Sequence, residues 1–234
     1  MGLVIVIPVH GDHSDTFPAL LESVESQVFK HPVEVYIAED KIGSEFRRSL
    51  SNLPPNYTFV PNESGERLFA LRNICRVLDS LSGDPVVGII DGDDRLFRSD
   101  CFQLVWDAYC DTVPVVWTAN QWDLNGANHS GPLDDSVDVY EHPWVASHFR
   151  TFRLSLYNQV PQANFLNEDG NFFEKCYDQA LMLPLIHKAH SQGLKTKYID
   201  KMCYLYRGRI DFDGDGRSQQ LKYEKYIRKR GYVE

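Results

Sequence analysis

Val86-Val87-Gly88-Ile89-Ile90-Asp91-Gly92-Asp93-Asp94 is the stretch on which the fold turns. Its apolar run reads as a buried strand. It ends in three carboxylates within four residues. Such crowding opposes folding, because like charges repel and burying them is costly. A bound cation would remove the conflict. Asp91 and Asp93 suit a hard, oxygen-ligated divalent ion such as Mg²⁺ or Mn²⁺. A solvated Asp-Gly turn is the alternative for the tetrad taken alone.

Working outward, the residues before this strand alternate between strand and helix patterns. Leu3 to Pro8 is a continuous β-branched run, broken by the loop Pro8-Val9-His10-Gly11-Asp12. Ser14 or Asp15 can cap a helix whose Phe17, Leu20, Leu21, Val24 and Val28 share one face. Val33 to Ala38 is a second strand, ending in Glu39-Asp40. A short helix is predicted over Ser44 to Leu50 and a third strand over Tyr57 to Val60. Glu66 to Leu81 reads as a helix, with Leu68, Leu71, Cys75 and Leu78 at helical spacing. The alternation predicts an α/β, Rossmann-like, mostly parallel central sheet with helices on both faces. Ligands of such sheets bind outside the carboxyl ends of the strands. Pro8-Val9-His10, Glu39-Asp40 and Asp91-Gly92-Asp93-Asp94 should therefore converge on one crevice.

Beyond the tetrad, Asp100 to Asp111 is predicted as a helix and Val113 to Ala119 as a strand. Asn120 to Pro143 is polar and turn-rich, and reads as a surface excursion. Trp144 to Phe152 mixes aromatics with His148 and Arg150. Strand alternation would place His148 and Arg150 on one side. Arg153 fits a solvated strand face equally well. Trp117 reads as core. Gly170 to Gly193 holds a helix that Pro184 must begin or kink. Lys197 to Tyr206 is the last strand, and Leu221 to Arg230 a basic terminal helix. Asp211 to Gly216 superficially resembles a calcium loop, but Lys222 stands where the twelfth-position glutamate should be.

Composition excludes other classes. The 234 residues are 43% hydrophobic, enough for a sizeable core. A net charge of −9 argues against broad binding to nucleic acid or anionic membrane. The five cysteines lack zinc spacing and read as thiols in a reducing compartment. Met1-Gly2-Leu3-Val4 has no basic leader pattern, and no apolar run is long enough to span a bilayer. A cytoplasmic location is expected, the host cytoplasm for a viral protein. Nothing in the sequence specifies an oligomeric state.

In order, these motifs resemble family 2 glycosyltransferases of the GT-A fold, in a bacterial or viral variant. Val4-Ile5-Val6-Ile7-Pro8-Val9 is similar to the family's first strand. Asp40 stands where members hold the nucleotide base, Ala70-Leu71-Arg72-Asn73 resembles the Ala-Arg-Asn helix, and Asp91-Gly92-Asp93-Asp94 resembles the DxD motif. The match in order and spacing runs from residue 3 to about residue 94; later parts resemble the family more loosely. There Tyr177-Asp178 stands in for the usual Glu-Asp, and Tyr204-Leu205-Tyr206-Arg207 resembles the strand leading to a loop over the diphosphate.

The resemblance implies a single GT-A domain over 1–234, with a nucleotide-binding half (1–95) and an acceptor-binding half (96–234) carrying the C-terminal loop and helix. It implies inverting transfer from a nucleotide sugar, most readily a UDP-sugar, to a hydroxyl acceptor, with Mn²⁺ or Mg²⁺. Asp178 would be the general base, although Asp is also a favoured helix cap. Asp93 would ligate the metal directly. Asp91 would ligate it too, or face the ribose or a metal-bound water, and Asp94 would assist or cap a turn. Pro8, Val9, His10, Asp40, Gly92 and Arg72 would border the nucleotide. Arg207 and Arg209 would close on the diphosphate. His148 and Arg150, with Arg153, could meet the diphosphate or an anionic acceptor, and Trp144 and Trp122 could stack on sugars. The acceptor could be a glycan, a lipid-linked sugar, a protein or a modified DNA base. Two other classes stay open. A sugar-nucleotidyltransferase would carry a basic, glycine-rich loop after the first strand, and a non-catalytic carbohydrate-binding module would need neither the acidic tetrad nor Asp178.

Overall fold

The computed structural model describes residues 2–208 and 214–234. In chain order these form β1 (Leu3–Val9), α1 (Phe17–Glu25), β2 (Val33–Glu39), α2 (Ser44–Ser49), β3 (Tyr57–Val60), α3 (Phe69–Leu78), β4 (Val86–Ile89) and β5 (Arg95–Leu96). There follow α4 (Cys101–Trp106), β6 (Val115–Trp122), β7 (Arg150–Arg153), α5 (Leu154–Tyr157), α6 (Tyr177–Ser191), β8 (Thr196–Tyr206) and α7 (Gly214–Arg230). One eight-stranded sheet, ordered β3-β2-β1-β4-β7-β6-β8-β5, runs through the molecule. β3, β2, β1 and β4 are parallel. β7 inserts antiparallel between β4 and β6, β8 runs parallel to β6, and β5 closes the edge antiparallel to β8. The mostly parallel α/β sheet expected from the alternation is therefore present.

Period-two alternation along the buried strands feeds two cores. Val4 and Val6 of β1 join Val87 and Ile89 of β4 beneath α3 and α6. Leu3, Ile5, Ile7 and Val9 join Val86 and Ile90 beneath α1 and α4. Each fully buried Val, Ile or Phe stabilises the fold by about 1.5–3 kcal/mol. Gly88 is part of this packing: a Cβ there would lie 2.7 Å from the Phe149 ring. The glycine lets Phe149, just before β7, press against β4.

Several boundaries differ from the sequence reading. The α1 helix stops at Glu25, and Val28 lies beyond it, 69% exposed, its N–H donated to the Ser99 carbonyl. The third helix begins at Phe69 rather than Glu66, because Asp40 takes up the N–H groups of Leu68 and Phe69. Pro184 lies inside α6 and does not start it. The α7 helix begins seven residues before the predicted Leu221. Arg209 and residues 211–213 of the calcium-like loop lie outside the described residues. Among the described residues no helix is long and apolar enough to cross a membrane.

Candidate functional site at the carboxyl ends of β1 and β4

A pocket of about 320 Å³ opens where the parallel strands end. It is lined by Pro8 and Val9 at the end of β1 and His10 just after it, by Asp40 after β2, and by Asp91 and Asp93 after β4. His148 and Arg150 enter from β7 and the segment before it, and Asp178 from the first turn of α6. Tyr206 and Arg207 complete the rim. Of the three strand ends expected to converge, Pro8, Val9, His10, Asp40, Asp91 and Asp93 line the pocket; Gly92 and Asp94 are not among its lining residues, and Glu39 instead pairs with Arg47 and accepts the Asn62 N–H.

Asp91 sits at the centre of a buried network. Arg150, 1% exposed, donates from Nη2 to Asp91 Oδ2 at 3.0 Å. The Tyr177 hydroxyl donates to Asp91 Oδ1 and accepts a second Arg150 hydrogen bond at 2.6 Å. The Asp91 N–H is donated to the Tyr204 hydroxyl at 2.9 Å. Burial raises the Asp91 carboxyl above its ordinary range, although the Arg150 charge pulls it down.

Asp94 and His148 are buried too, but incompletely satisfied. Asp94 Oδ1 accepts the Arg207 N–H at 2.8 Å, while the buried Oδ2 has no hydrogen-bond partner of good geometry among the described residues. Burial, followed by the charges of Asp91 and Asp93, holds the Asp94 carboxyl well above the usual range. The His148 ring is sandwiched by Tyr204 and Tyr206, at 4.7 and 5.0 Å between centroids. Its buried Nδ1 lies 3.9 Å from Asp91 Oδ2 and has no hydrogen-bond partner among the described residues, and burial, with Arg150 and His129 nearby, pushes the imidazole well below its ordinary pKa. A neutral imidazole keeps a lone pair on one ring nitrogen, so it can serve as a ligand rather than a charge. Single ligand atoms of Asp91, Asp94 and His148 all lie within 4.8 Å of one another. Two orphaned buried atoms in an O,O,N donor set fit a divalent cation, which would satisfy both and neutralise the crowded acids.

Asp93, the direct ligand expected from sequence, borders this cluster and faces His13 Nε2 at 3.8 Å. Gly92 is needed between them: a Cβ there would sit 2.3 Å from His13 Nδ1 and 2.8 Å from the Pro8 carbonyl oxygen. Asp178 faces the same pocket from the first turn of α6; the N-cap is Cys176, so the capping alternative for Asp178 does not hold. Asp40 lines the pocket, but its carboxylate is already engaged. Oδ1 accepts from Leu68 and Phe69, and Oδ2 from Arg67 Nε at 2.9 Å.

Several sequence candidates lie elsewhere, among them Trp122, which is half-buried and not among the lining residues. Arg72 is exposed on α3, and Trp144 packs half-buried against the core; neither lines the pocket. Arg67 and Phe69 occupy the place expected of Arg72, with the Arg67 guanidinium 4.6 Å from the Phe69 ring centroid. Arg153 pairs with Asp84 at 3.8 Å, away from the pocket. Patterning also passed over His13, Tyr204 and Tyr206. The i, i+2 spacing of the two tyrosines on β8 was the available signal, since it puts both rings on one face. Phe69 and Cys176, each with φ 58°, are the two non-glycine residues with positive φ among the described residues, and both line the pocket. Strained backbone of this kind concentrates at functional sites.

Comparison with solved structures identifies the fold as that of the GT-A glycosyltransferases. S. aureus TarS 1–349 in complex with UDP is 13% identical, with TM-score 0.67, covering 100% of this chain and 67% of that one. TarS 1–349 in complex with UDP-GlcNAc is 17% identical with TM-score 0.64, covering 93% and 61%. The mannosyltransferase PcManGT from Pyrobaculum calidifontis, in complex with GDP-Man and Mn²⁺, is 14% identical with TM-score 0.64, covering 96% and 62%. The match to a longer TarS structure spans 37% of that chain. No protein-family profile and no curated protein matches the sequence.

Proposed function

We propose that this chain is a metal-dependent, inverting glycosyltransferase that moves a sugar from a nucleotide sugar, a UDP-sugar first, to a hydroxyl acceptor. One observation carries the reading. The strand ends of a GT-A sheet bring Asp91, Asp94 and His148 within 4.8 Å of one another, two of them with an orphaned buried atom, beside Asp178 in the same pocket. The neighbours bound to UDP, UDP-GlcNAc and GDP-Man with Mn²⁺ support it.

In this reading Asp91, Asp93, Asp94 and His148 hold the cation. When bound, it supplies positive charge for the departing diphosphate. Pro8, Val9, His10 and the Arg67–Phe69 turn border the nucleoside, with Asp40 acting chiefly by fixing that turn. Arg207 lies at the rim, where its guanidinium can meet phosphate. Arg150 holds Asp91 in place. Asp178 takes the proton of the acceptor hydroxyl as that oxygen attacks the anomeric carbon from the face opposite the leaving group. The sugar-nucleotidyltransferase alternative has no support in the loop after β1, which folds as a short 3-10 turn carrying His13. A nucleic-acid acceptor draws little support from α7. Arg228 and Arg230 turn inward onto the carbonyls of Tyr140, His142, Ala163, Asn164 and Leu166.

The test is a panel of nucleotide sugars with and without Mn²⁺, read by thermal shift and by release of nucleoside diphosphate. A UDP-sugar with Mn²⁺ is expected to raise the melting temperature and to be turned over, and Asp178→Asn to keep the shift while losing turnover. No metal-dependent shift with any nucleotide sugar would overturn the reading.

A further inference from the structure

Tyr177 occupies the position where the resemblance leads one to expect a glutamate beside the base, and its surroundings explain what a phenol does there. It is the first residue of α6, directly before Asp178 and directly after Cys176, whose backbone is left-handed at φ 58°. A non-glycine residue in that conformation is strained and persists only where neighbours over-determine it. The Tyr177 hydroxyl supplies a hold from across the pocket. It donates to Asp91 at the end of β4, 86 residues away in sequence, and accepts from Arg150 at 2.6 Å. Arg150 also reaches Asp91 at 3.0 Å and lies 5.1 Å from the Tyr177 ring centroid. The three side chains thus close a ring in which each touches the other two.

Charge explains why the third member is a phenol. A carboxylate at position 177 would set a second anion against Asp91, with Asp94 and Asp93 close by and one buried arginine to answer them all. A hydroxyl can accept from Arg150 and donate to Asp91 without adding charge.

We propose that Tyr177 is a positioning residue: as a neutral bridge between Arg150 and Asp91, it locks the first turn of α6, and with it Asp178, to the acidic end of β4. The bridge fixes the distance between the proton acceptor and the donor-binding carboxylates. Its catalytic consequence rests on the glycosyltransferase reading, whereas the mechanical link does not.

The test combines Tyr177→Phe, which keeps the ring and removes the hydroxyl, with Asp91→Ala, which removes the acceptor, and the double variant. Hydrogen exchange is followed at the amides of residues 176–180. Each single variant is expected to speed exchange there about tenfold or more, and the double variant to add nothing further, because both break one link. Unchanged exchange in Tyr177→Phe, or independent effects that multiply in the double variant, would overturn the proposal. Should Tyr177→Phe fail to fold, Asp91→Ala alone decides, since an intact turn at 176–180 without its Asp91 partner contradicts the link. On a transferred sugar, Tyr177→Phe is expected to lower kcat about tenfold or more while the donor KM stays within twofold. A purely structural loss would not divide the two constants in this way, and an unchanged kcat would also overturn the proposal. A wild-type chain that transfers nothing from any nucleotide sugar counts against the glycosyltransferase reading, and the exchange measurements still decide the bridge.

Discussion

Asp40 and Asp94 are buried carboxylates beyond the ends of the two strands that flank β1, and they are satisfied in opposite ways. Asp40 receives two backbone N–H groups and a guanidinium Nε from its own neighbourhood. Asp94 Oδ1 receives the Arg207 N–H, and its second oxygen is buried with no hydrogen-bond partner of good geometry among the described residues. The first is a component of the fold, ordering the turn into α3. The second costs the fold stability, which only a ligand would return. Both are acids at strand ends, and only their partners separate a structural carboxylate from a ligand-seeking one.

The largest expected effect breaks this comparison at Asp94. Burial keeps its folded pKa above the unfolded value of about 3.9. The metal-free folded chain therefore binds more protons than the unfolded chain. Its stability should rise as pH falls from neutral through the raised folded pKa, and be lost as pH rises again. Asp94→Asn removes that dependence. Without metal at pH 7 the variant should melt higher than wild type by roughly 4–8 °C, for a gain of about 2 kcal/mol. With Mn²⁺ and UDP the order should reverse, and transfer by the variant should fall roughly 100-fold or more. Thermal melts across pH, with and without the cation, measure both.

Asp40→Ala should behave in the opposite way. It leaves the N–H groups of Leu68 and Phe69 without their acceptor, and should cost about 3 kcal/mol with or without Mn²⁺ in denaturant titrations. Gly92→Ala sharpens the picture between the two strand ends. The added methyl would press on His13 and the Pro8 carbonyl, destabilising by about 2 kcal/mol in the same titrations. Val28→Ser, at an exposed site away from both, should change stability by less than about 0.5 kcal/mol.

How much of this the sequence reveals follows the same division between local and distant partners. β1 and β4 are continuous apolar runs and β2 and β3 are rich in β-branched and aromatic residues, so the first half of the sheet and its acidic rim are legible in the sequence. The side shared by His148 and Arg150 followed from alternation, and both do reach Asp91. The insertion of β7 between β4 and β6 joins segments about 65 residues apart, and no local pattern specifies it. Arg67 displaced Arg72 from the pocket because Asp40 ends the turn at Phe69, delaying the helix and leaving Arg72 on its solvent face. Val28 continues the apolar face of α1 in sequence, but the helix ends before it. For Asp94 the sequence leaves assisting a ligand and capping a turn both open. Its carboxylate accepts from Arg207, 113 residues away, so its surroundings become apparent only once β8 is placed beside β5.

The measurement closest to the centre is anomalous diffraction from crystals soaked with Mn²⁺ and UDP. The account predicts one manganese peak among Asp91, Asp93, Asp94 and His148, within bonding distance of Asp94 Oδ2 and His148 Nδ1 and of the nucleotide's phosphates. A fully occupied nucleotide with no metal peak there, or a peak elsewhere with Asp94 and His148 untouched, would contradict it.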